Sequence, residues 1–455
     1  MAEAAAGGAG RPARLSWMLF DWAGQPFYTV VTTFIFAPYF AAQVAPDPAT
    51  GQSWWGLASA VAGLAVALSS PVLGAIADET GRRKAWLAAF SVLFVVGATG
   101  LWFAAPGGLA PVVMVLAAYV VATIGIEFAT VFNNAMLPDV APRQMIGRLS
   151  GSAWGLGYAG GLVALVLVLG LMTPMPGSDL TMLGVQPLVS HLAPAAGERL
   201  TGPLSALWYV VFVVPLFLFC PDVPSRSRLA PAVRSGLREL RRTLARLPSH
   251  RQVLKFFVAR MLYQDGLNAL VLFGGIYATG TFGWTTAEVG VFGILLAACG
   301  GIGAWAGGRA DDRFGPKRVV AVSVAGLAIV SVGLLSVDAE TVLFVIPAGG
   351  GGEGLFASTP ERLYLLLGIF VGLFFGPAQA ASRTILVRLA PRESMTEFFG
   401  LYALTGKLTA FLGPLAVGLL TAASGSQRVG ISVVVVFLVA GLAVLATVRV
   451  PRSID

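Results

Sequence analysis

Six charged side chains lie inside long apolar stretches of this sequence, and they have the clearest potential for chemistry. They are three acids and three bases, namely Asp21, Glu127, Arg260, Asp265, Arg383 and Lys407. A charge near the middle of a bilayer costs about 3 kcal/mol, so such residues are functional candidates by default. They can hold an ionic solute or carry a proton, and they can also pair as permanent links between helices. The sequence leaves both roles open.

Further polar residues recur beside these charges at helical spacing. At about 1.5 Å per residue, Asp265 and Lys407 lie near the predicted midplane. The cytoplasmic half holds Asp21, Glu127 and Arg383. We predict that Asp265 and Lys407 handle substrate or protons and can pair with each other. Asp21, Glu127 and Arg383 are predicted to form an inner gate in which Arg383 pairs with Asp21 or Glu127. The predicted polar faces are Asp21-Gln25-Tyr28-Thr32, Glu127-Val131-Asn134, Asp265-Asn268, Arg260-Gln264-Asn268 and Gly376-Gln379-Arg383.

The composition restricts the class of protein. Of 455 residues, 56% are hydrophobic and 11% are charged, and the mean hydropathy is +0.81. Soluble proteins carry roughly 25% charged residues, so these values exclude a soluble globular chain. The same hydrophobicity excludes a disordered chain. The class that remains is an integral membrane protein with many spans.

The sequence gives no sign of a metal site, a cofactor or an enzyme active site. Cys220 and Cys299 cannot form a disulfide framework or a zinc site, and His191 and His250 are far apart. The glycine run at 349–352 lacks the Gly-Lys-Ser/Thr sequence of a nucleotide loop. A membrane enzyme would need a nucleophile and a base close together, and the sequence shows no such cluster.

Twelve apolar segments of about 20 residues predict twelve membrane-spanning helices. Basic residues concentrate on the cytoplasmic side of membrane proteins. With the N-terminus inside, 24 of the 30 Lys and Arg residues fall in cytoplasmic segments and three fall outside. This distribution predicts both termini in the cytoplasm and explains the net charge of +8 without a nucleic-acid partner. The spans start near Leu15, Ser53, Ala85, Leu109, Arg148, Gly202, Val253, Thr286, Lys317, Glu361, Thr396 and Arg428.

The predicted organisation is two six-helix bundles joined by a basic linker. In the linker, Leu237, Leu240, Leu244 and Leu247 recur at helical spacing among arginines. This pattern is typical of an amphipathic helix on the membrane surface; a solvated basic linker is the alternative. The predicted segments are a tail at 1–14, bundles at 15–220 and 253–449, the linker at 221–252 and a tail at 450–455.

The two halves share motifs in the same order. Residues 74–84 read Gly74-x-x-x-Asp78-x-x-Gly81-Arg82-Arg83-Lys84, and residues 308–318 read Gly308-x-x-x-Asp312-Arg313-x-Gly315-Pro316-Lys317-Arg318. An offset of 249 residues relates Gly151 to Gly400 and Tyr158 to Lys407. Internal repeats with a site at their interface are a transporter architecture. Asp78 is expected to meet a helix N-terminus or an arginine, and Arg82 and Arg83 to hold neighbouring helices.

The loop at 74–84 resembles the signature loop of the major facilitator superfamily, and the likeness extends along the whole chain. Residues 20–23, 132–139, 155–161 and 397–402 are similar to the branch that contains the fungal vacuolar amino-acid effluxer and its bacterial relatives. The resemblance implies an all-α integral membrane fold with twelve transmembrane helices in two pseudo-symmetric six-helix bundles. It also implies that spans one, four, seven and ten line the cavity. Because Glu79 and Pro316 depart from the basic pattern, we expect the second loop to gate less tightly.

These observations predict a secondary active transporter that moves a small solute across the inner membrane by rocking-bundle alternating access. The resemblance favours efflux of amino acids or small peptides. A proton-coupled sugar or amphipathic drug transporter and a lipid translocator are the alternatives. The expected partners are the solute, protons and membrane lipid, and the chain is expected to be a monomer. Substrate or coupling candidates are Asp265, Lys407, Asp21, Gln25, Tyr28, Glu127, Asn134, Asn268, Gln379, Arg383 and Tyr158. Gating candidates are Gly74, Asp78, Gly81, Arg82, Arg83, Gly308, Asp312, Arg313 and Gly315.

Overall fold

The structure, a computed structural model, describes residues 10–106, 109–174, 178–224, 229–246, 250–348 and 354–451. Long helices dominate it, because a chain in lipid must satisfy its backbone hydrogen bonds internally. Each long helix starts within five residues of its predicted position. The helices are α1 Arg11–Pro26, α2 Pro48–Thr80, α3 Arg83–Gly100, α4 Leu109–Ala135, α5 Ile146–Leu171, α6 Thr201–Phe219, α7 Arg251–Phe282, α8 Thr286–Phe314, α9 Pro316–Leu335, α10 Thr359–Leu389, α11a Met395–Leu408, α11b Leu412–Ser424 and α12 Gln427–Ala446.

Among the described residues, 11 helical segments are long and apolar enough to cross a membrane. The helix that does not meet this criterion is α7, which has the required length at 32 residues. Its apolar character is reduced by Arg260, Gln264 and Asp265, all of which are buried in the structure. The prediction of an all-α fold with twelve spanning helices is confirmed.

Two spans depart from regular α-helix. After Pro26 the first span continues as π-helix at Phe27–Phe34, α-helix at Phe36–Tyr39 and π-helix at Phe40–Val44. The eleventh span breaks between α11a and α11b, where tighter hydrogen bonds run from Ala410 N to Lys407 O (3.4 Å) and from Leu412 N to Thr409 O (2.7 Å). Such irregular turns are frequent at functional sites.

Short elements occupy the connections. The loop between α9 and α10 contains an antiparallel pair in which Thr341 is opposite Pro347, so the chain has a small sheet that the sequence did not predict. The linker forms a helix at Leu229–Arg246. Leu247, the side chain of Leu244 and the ends 1–9 and 452–455 lie outside the described residues. The remaining elements are β1 Thr341–Val342, β2 Ile346–Pro347, α-helices Leu137–Val140 and Ala196–Arg199, and 3-10 turns Leu101–Phe103, Arg143–Met145 and Arg392–Ser394.

The first of two compact units comprises Met1–Pro142, Leu156–Leu240 and Glu393–Gly400. Its helices α3 and α4 approach closely, because a methyl group on Gly97 would lie 2.8 Å from Ala122 Cα. Helices α1 and α6 pack through the stacked rings of Trp22 and Trp208, whose centroids are 5.5 Å apart. By these ranges, unit one contains the helices of the first half, apart from the first turns of α5, together with the first turns of α11a.

The second unit comprises Arg143–Gly155, Arg241–Arg392 and Leu401–Asp455. Helices α8 and α10 meet backbone to backbone, since a methyl group on Gly303 would lie 2.9 Å from Leu373 Cα. Helix α12 packs on α7 at Gly441, where a methyl group would lie 2.8 Å from Tyr263 Cβ. Unit two therefore contains the first turns of α5 together with the helices of the second half.

Glycines recur in the second and fifth spans, a pattern that predicts close helix packing there. This expectation is confirmed for α5, where added methyl groups would contact neighbouring helices at Gly151, Gly155, Gly157, Gly160 and Gly161. It is wrong for Gly56 and Gly63 of α2, where nothing lies within 4 Å of an added methyl group.

The loop carboxylate of Asp338 provides a test of the fold outside the membrane. It accepts hydrogen bonds from Glu340 N (3.0 Å) and Thr341 N (2.9 Å) and pairs with Arg428 at 2.8 Å. The hydrogen bond from the Glu340 amide is the largest cause that lowers the pKa of Asp338, and together these contacts lower it to about 2.

We expect Asp338→Asn to destabilise the protein at pH 7 by roughly 1 kcal/mol, since partial exposure screens the ion pair. A lowered pKa in the folded state stabilises the protein above the unfolded-state pKa of about 4. This contribution is lost as the pH falls through about 2. Thermal unfolding of the purified protein at pH 7 and pH 3 should therefore show a smaller difference between wild type and variant at pH 3. An equal difference at both pH values would contradict the expectation.

Candidate functional site

The loop at 74–84, which we call the first signature loop, makes a tight reversal between α2 and α3. Gly81 and Arg82 have positive φ angles of 69° and 50°, in the left-handed region that glycine adopts most readily. The side chain of Arg82 is exposed, whereas that of Arg83 is only 6% exposed. The turn therefore directs the second arginine of the pair into the protein.

Arg83 links four neighbouring groups within unit one. Its guanidinium pairs with Asp78 at 3.2 Å and with Asp139 at 2.7 Å. It also donates to the Ala135 carbonyl at 3.2 Å and to the Thr396 hydroxyl at 2.9 Å. The role of holding neighbouring helices, expected for both arginines, thus falls to Arg83. Asp139 and Thr396 were not predicted, because neither is part of the loop motif.

Asp78 caps the start of α11a. Its second carboxylate oxygen accepts a hydrogen bond from Glu397 N at 2.9 Å, so the charge faces the positive end of the helix dipole. The expected contacts with a helix N-terminus and with an arginine are both present. Gly74 permits this approach, since a methyl group there would lie 2.9 Å from Glu397 Cα.

The loop at 308–318, the second signature loop, makes the matching contact in unit two. Asp312 accepts hydrogen bonds from Gly147 N at 2.9 Å and Arg148 N at 3.1 Å, at the start of α5. Gly308 lies against Gly151, whose repeat partner Gly400 lies in the same way against Ser70 and Pro71 of α2. The internal repeat is therefore a repeat of helix-capping contacts.

The two signature loops differ in their cations. Lys317, the counterpart of Arg83, donates to the Ala446 carbonyl at 2.8 Å, away from Asp312. Arg313 is exposed, and its guanidinium lies over the ring of Phe314, 5.1 Å from the ring centroid. Instead, Arg388 pairs at 3.6 Å with the buried Asp311, which also accepts a hydrogen bond from the Thr384 hydroxyl.

Neither Asp311 nor Arg388 was predicted, because Asp311 occupies an unspecified position of the loop motif and Arg388 lies beyond the predicted α10 face. The prediction that the second loop gates less tightly stays a prediction.

Unit one brings part of the predicted α1 and α4 faces together. The carboxylates of Glu127 and Asp21 and the hydroxyl of Tyr119 act electrostatically on the Tyr28 hydroxyl, and the Thr130 hydroxyl hydrogen bonds to it. Tyr28 lies at the start of the π-helical stretch. The remaining unit-one candidates are placed as follows: Gln25 and Asp21 pack against Gly161 and Gly157 of α5, and Asn134 and Tyr158 are half-buried.

Unit two has a buried polar cluster on α7 that faces α11a. The Arg260 guanidinium stacks on the Tyr402 ring at 3.5 Å and donates to the Tyr402 carbonyl at 2.9 Å and the Thr405 hydroxyl at 3.0 Å. One turn later, Gln264 donates to Asn268 Oδ1 at 3.0 Å. Within the described residues, Arg260 Nε and Gln264 Oε1 are buried without hydrogen-bond partners. The cluster therefore has a donor and an acceptor available for a polar ligand or water.

The predicted pairing of Asp265 with Lys407 stays a prediction. Asp265 is 2% exposed, and the charge of Arg260 acts on it, while the Thr409 hydroxyl lies beside it. Lys407 is half-buried in the last turn of α11a. The sequence could not show that the eleventh span breaks immediately after Lys407, which separates the lysine from the helix that follows.

Arg383 and Gln379 are both buried on α10. Arg383 donates from Nε to the Ser150 hydroxyl and from a terminal nitrogen to the Ser150 carbonyl, each at 2.9 Å, at the start of α5. Ser150 in turn donates to the Ala380 carbonyl at 2.8 Å. The pairing predicted for Arg383 with Asp21 or Glu127 stays a prediction.

Twelve spanning helices with duplicated, carboxylate-capped loops define a transporter of the major facilitator superfamily. The human organic anion transporter MFSD10 (TETRAN) shares this fold, with a TM-score of 0.67 over 96% of this chain and 100% of its own, at 14% identity. At that level of identity the likeness shows the fold alone. Proteins of this family and fold are transporters and not enzymes.

The chain belongs to the family described as vacuole effluxer Atg22 like, whose profile matches residues 43–455. The uncharacterised MFS-type transporter YxiO of Bacillus subtilis strain 168 is 24% identical over 443 residues, which cover 97% of this chain and 95% of YxiO. Autophagy-related protein 22 of Cryptococcus neoformans is 27% identical over 317 residues, which cover 67% of this chain and 51% of the fungal protein. The match thus spans about half the length of that fungal relative. The predicted superfamily and branch are confirmed.

The two arginines of the first signature loop provide a matched test of the site. We expect Arg83→Ala to destabilise the protein by about 3 kcal/mol or more, because it leaves the Asp78 charge buried without its partner. Arg82→Ala removes an equal charge from an exposed position and should change stability by less than about 0.5 kcal/mol. Thermal unfolding in detergent measures both effects. Equal destabilisation by the two variants would contradict the assignment.

Proposed function

We propose that this chain is a secondary active transporter that moves a small polar solute by alternating access. The observation that carries the proposal is the pair of capped helix starts, Glu397 on Asp78 and Gly147 on Asp312. Each cap joins a signature loop to the first turn of a helix whose later residues belong to the other unit. Hydrogen bonds of this kind can break and reform without unfolding a helix, as an alternating mechanism requires.

Arg83 fixes the strength of the first cap in this proposal. While its guanidinium neutralises Asp78, the carboxylate can remain buried against the α11a start. Release of segment Glu393–Gly400 would also break the hydrogen bond from Arg83 to Thr396. The cap therefore stabilises one conformation to which every transport cycle must return, so loss of Asp78 should lower the transport rate more than it changes substrate affinity.

The solute proposed is an amino acid or a small peptide that leaves the cytoplasm. The family description, vacuole effluxer, supports efflux. The α7 cluster supports a zwitterion: the open Arg260 Nε–H suits a carboxylate, and Gln264 Oε1 with Asp265 suits an ammonium group. Lys407, at the end of α11a, would supply a second cation for the carboxylate or release a proton from Asp265 by approaching it.

The proposal places the protein in a bacterial inner membrane as a monomer, with both termini in the cytoplasm. The support is the concentration of Lys and Arg in alternate loops. Under this orientation both signature loops and the linker helix face the cytoplasm.

Counterflow in proteoliposomes tests the function. Vesicles loaded with unlabelled amino acids should accumulate at least one labelled amino acid without any ion gradient, because exchange needs only the alternating carrier. Asp78→Asn should lower the exchange rate at least tenfold, equivalent to about 1.4 kcal/mol in the barrier, with little change in half-saturation. Exchange of sugars without exchange of amino acids would refute the proposed substrate class. A fully active Asp78→Asn variant would refute the cap mechanism.

Arg260 tests the substrate site separately. Arg260→Lys keeps the positive charge but loses the planar stack on Tyr402 and the Nε–H, so we expect at least a tenfold weaker half-saturation in a protein that still folds. Arg309→Lys is the matched control. Arg309 also stacks on an aromatic ring, that of Trp305, at 3.6 Å and donates to the Trp305 carbonyl at 3.0 Å, but it does so at an exposed site.

The control should exchange substrate like the wild type. Wild-type half-saturation in Arg260→Lys, or an equal loss in both variants, would contradict a substrate role for Arg260.

A further inference from the structure

The linker helix, Leu229–Arg246, is anchored to the end of α2 by one face. Ala232 and Leu240 on that face are buried, with 0% and 8% exposure. Between them, a methyl group on Gly236 would lie 3.0 Å from Ile76 Cα, so the two helix backbones are in contact. This half of the linker helix is therefore part of unit one and is not a solvated connection.

A hydrogen bond reinforces the anchor. The Ser235 hydroxyl donates to the Glu79 carboxylate at 3.2 Å. Glu79 directly follows Asp78 and is the residue that departs from the basic pattern of the signature loop. An acidic side chain at this position can accept a hydrogen bond from the serine hydroxyl, which a protonated lysine or an arginine cannot do. The departure thus has a structural use in docking the linker helix.

The neighbouring face of the same helix is open. Val233 and Leu237, one turn apart, are 37% and 45% exposed. Each is followed by an exposed arginine, Arg234 and Arg238. An apolar stripe bordered by guanidinium groups is typical of a helix that lies in the interface of a membrane.

The anchor also fixes the depth of this face. Helix α2 has 33 residues and is about 50 Å long, which exceeds a hydrocarbon core of about 30 Å and reaches through both headgroup layers. Ile76 lies four residues before the end of α2, which is about 6 Å. The contact at Ile76 therefore places the linker helix at the level of the lipid headgroups.

We propose that Val233, Arg234, Leu237 and Arg238, which we call the linker surface, bind anionic phospholipid of the cytoplasmic leaflet. The two arginines contact lipid phosphates, and the two apolar side chains enter the boundary with the acyl chains. The negative potential of an anionic leaflet strengthens this contact about fivefold for each basic group. The partner is the lipid surface itself, so the proposal is independent of the solute that the protein transports.

Fluorescence of the whole protein in nanodiscs tests the proposal. A label on Leu237→Cys, in a Cys220→Ala and Cys299→Ala background, reports the surroundings of the linker surface. In nanodiscs of equal parts phosphatidylcholine and phosphatidylglycerol, spin-labelled lipid should quench the label strongly. Quenching should be weaker in phosphatidylcholine alone and should decrease with added salt.

Charge variants distinguish the linker surface from a general charge effect. Arg234→Gln with Arg238→Gln should lower the phosphatidylglycerol-dependent contact roughly 30-fold, from about fivefold for each arginine. The matched control, Arg11→Gln with Arg318→Gln, removes the same charge from exposed positions outside the linker helix and should leave quenching unchanged. An equal loss in the control pair overturns the proposal. Equal quenching in both lipid compositions also overturns it, because the surface would then be covered by something other than anionic lipid.

Discussion

The first backbone N–H groups of a helix have no partner within the helix, and this protein satisfies two such helix starts with carboxylates from distant loops. Asp78 accepts from Glu397 N at the start of α11a, and Asp312 accepts from Gly147 N and Arg148 N at the start of α5. These bonds associate each first turn with the unit that supplies the carboxylate. The first turns of α5 are thus part of unit two, whereas the rest of α5 is part of unit one. The first turns of α11a are part of unit one, whereas the rest of the eleventh span is part of unit two.

Both caps place a carboxylate at a helix start, but they differ in charge balance. Asp78 is neutralised by Arg83, which reaches Asp139 as well. In unit two the corresponding Lys317 is directed toward α12, and the nearby buried carboxylate Asp311 is balanced by Arg388 instead. Because a guanidinium is planar and always charged, the first cap is held by a fixed fork of hydrogen bonds. The second relies on backbone N–H groups and on the partly exposed Arg148.

Two of the polar residues inside the spans lie where the backbone departs from regular α-helix. Tyr28 lies where α1 becomes π-helical, and Lys407 lies one residue before α11a ends. In both places the regular i to i+4 bonding is interrupted, which frees backbone groups and changes the direction of side chains. Arg260 and Gln264 lie on a regular helix, and their open hydrogen-bonding atoms come from the surrounding packing.

The sequence by itself determined the number, position and class of the spanning helices, because about 20 apolar residues in lipid can satisfy their backbone only as a helix. It also identified both signature loops, because the same motif occurs twice along the chain. The motif includes Gly81, and glycine is the residue that adopts a positive φ angle most readily. It could not decide between Arg82 and Arg83, because a single turn determines which of two adjacent side chains is buried. It placed Asp265 and Lys407 together by depth alone, whereas the structure shows that the charge of Arg260, on the same helix, acts on Asp265 and that the eleventh span breaks beside Lys407. Helix rotation and long-range caps depend on contacts between residues hundreds of positions apart, and these form only when the chain packs.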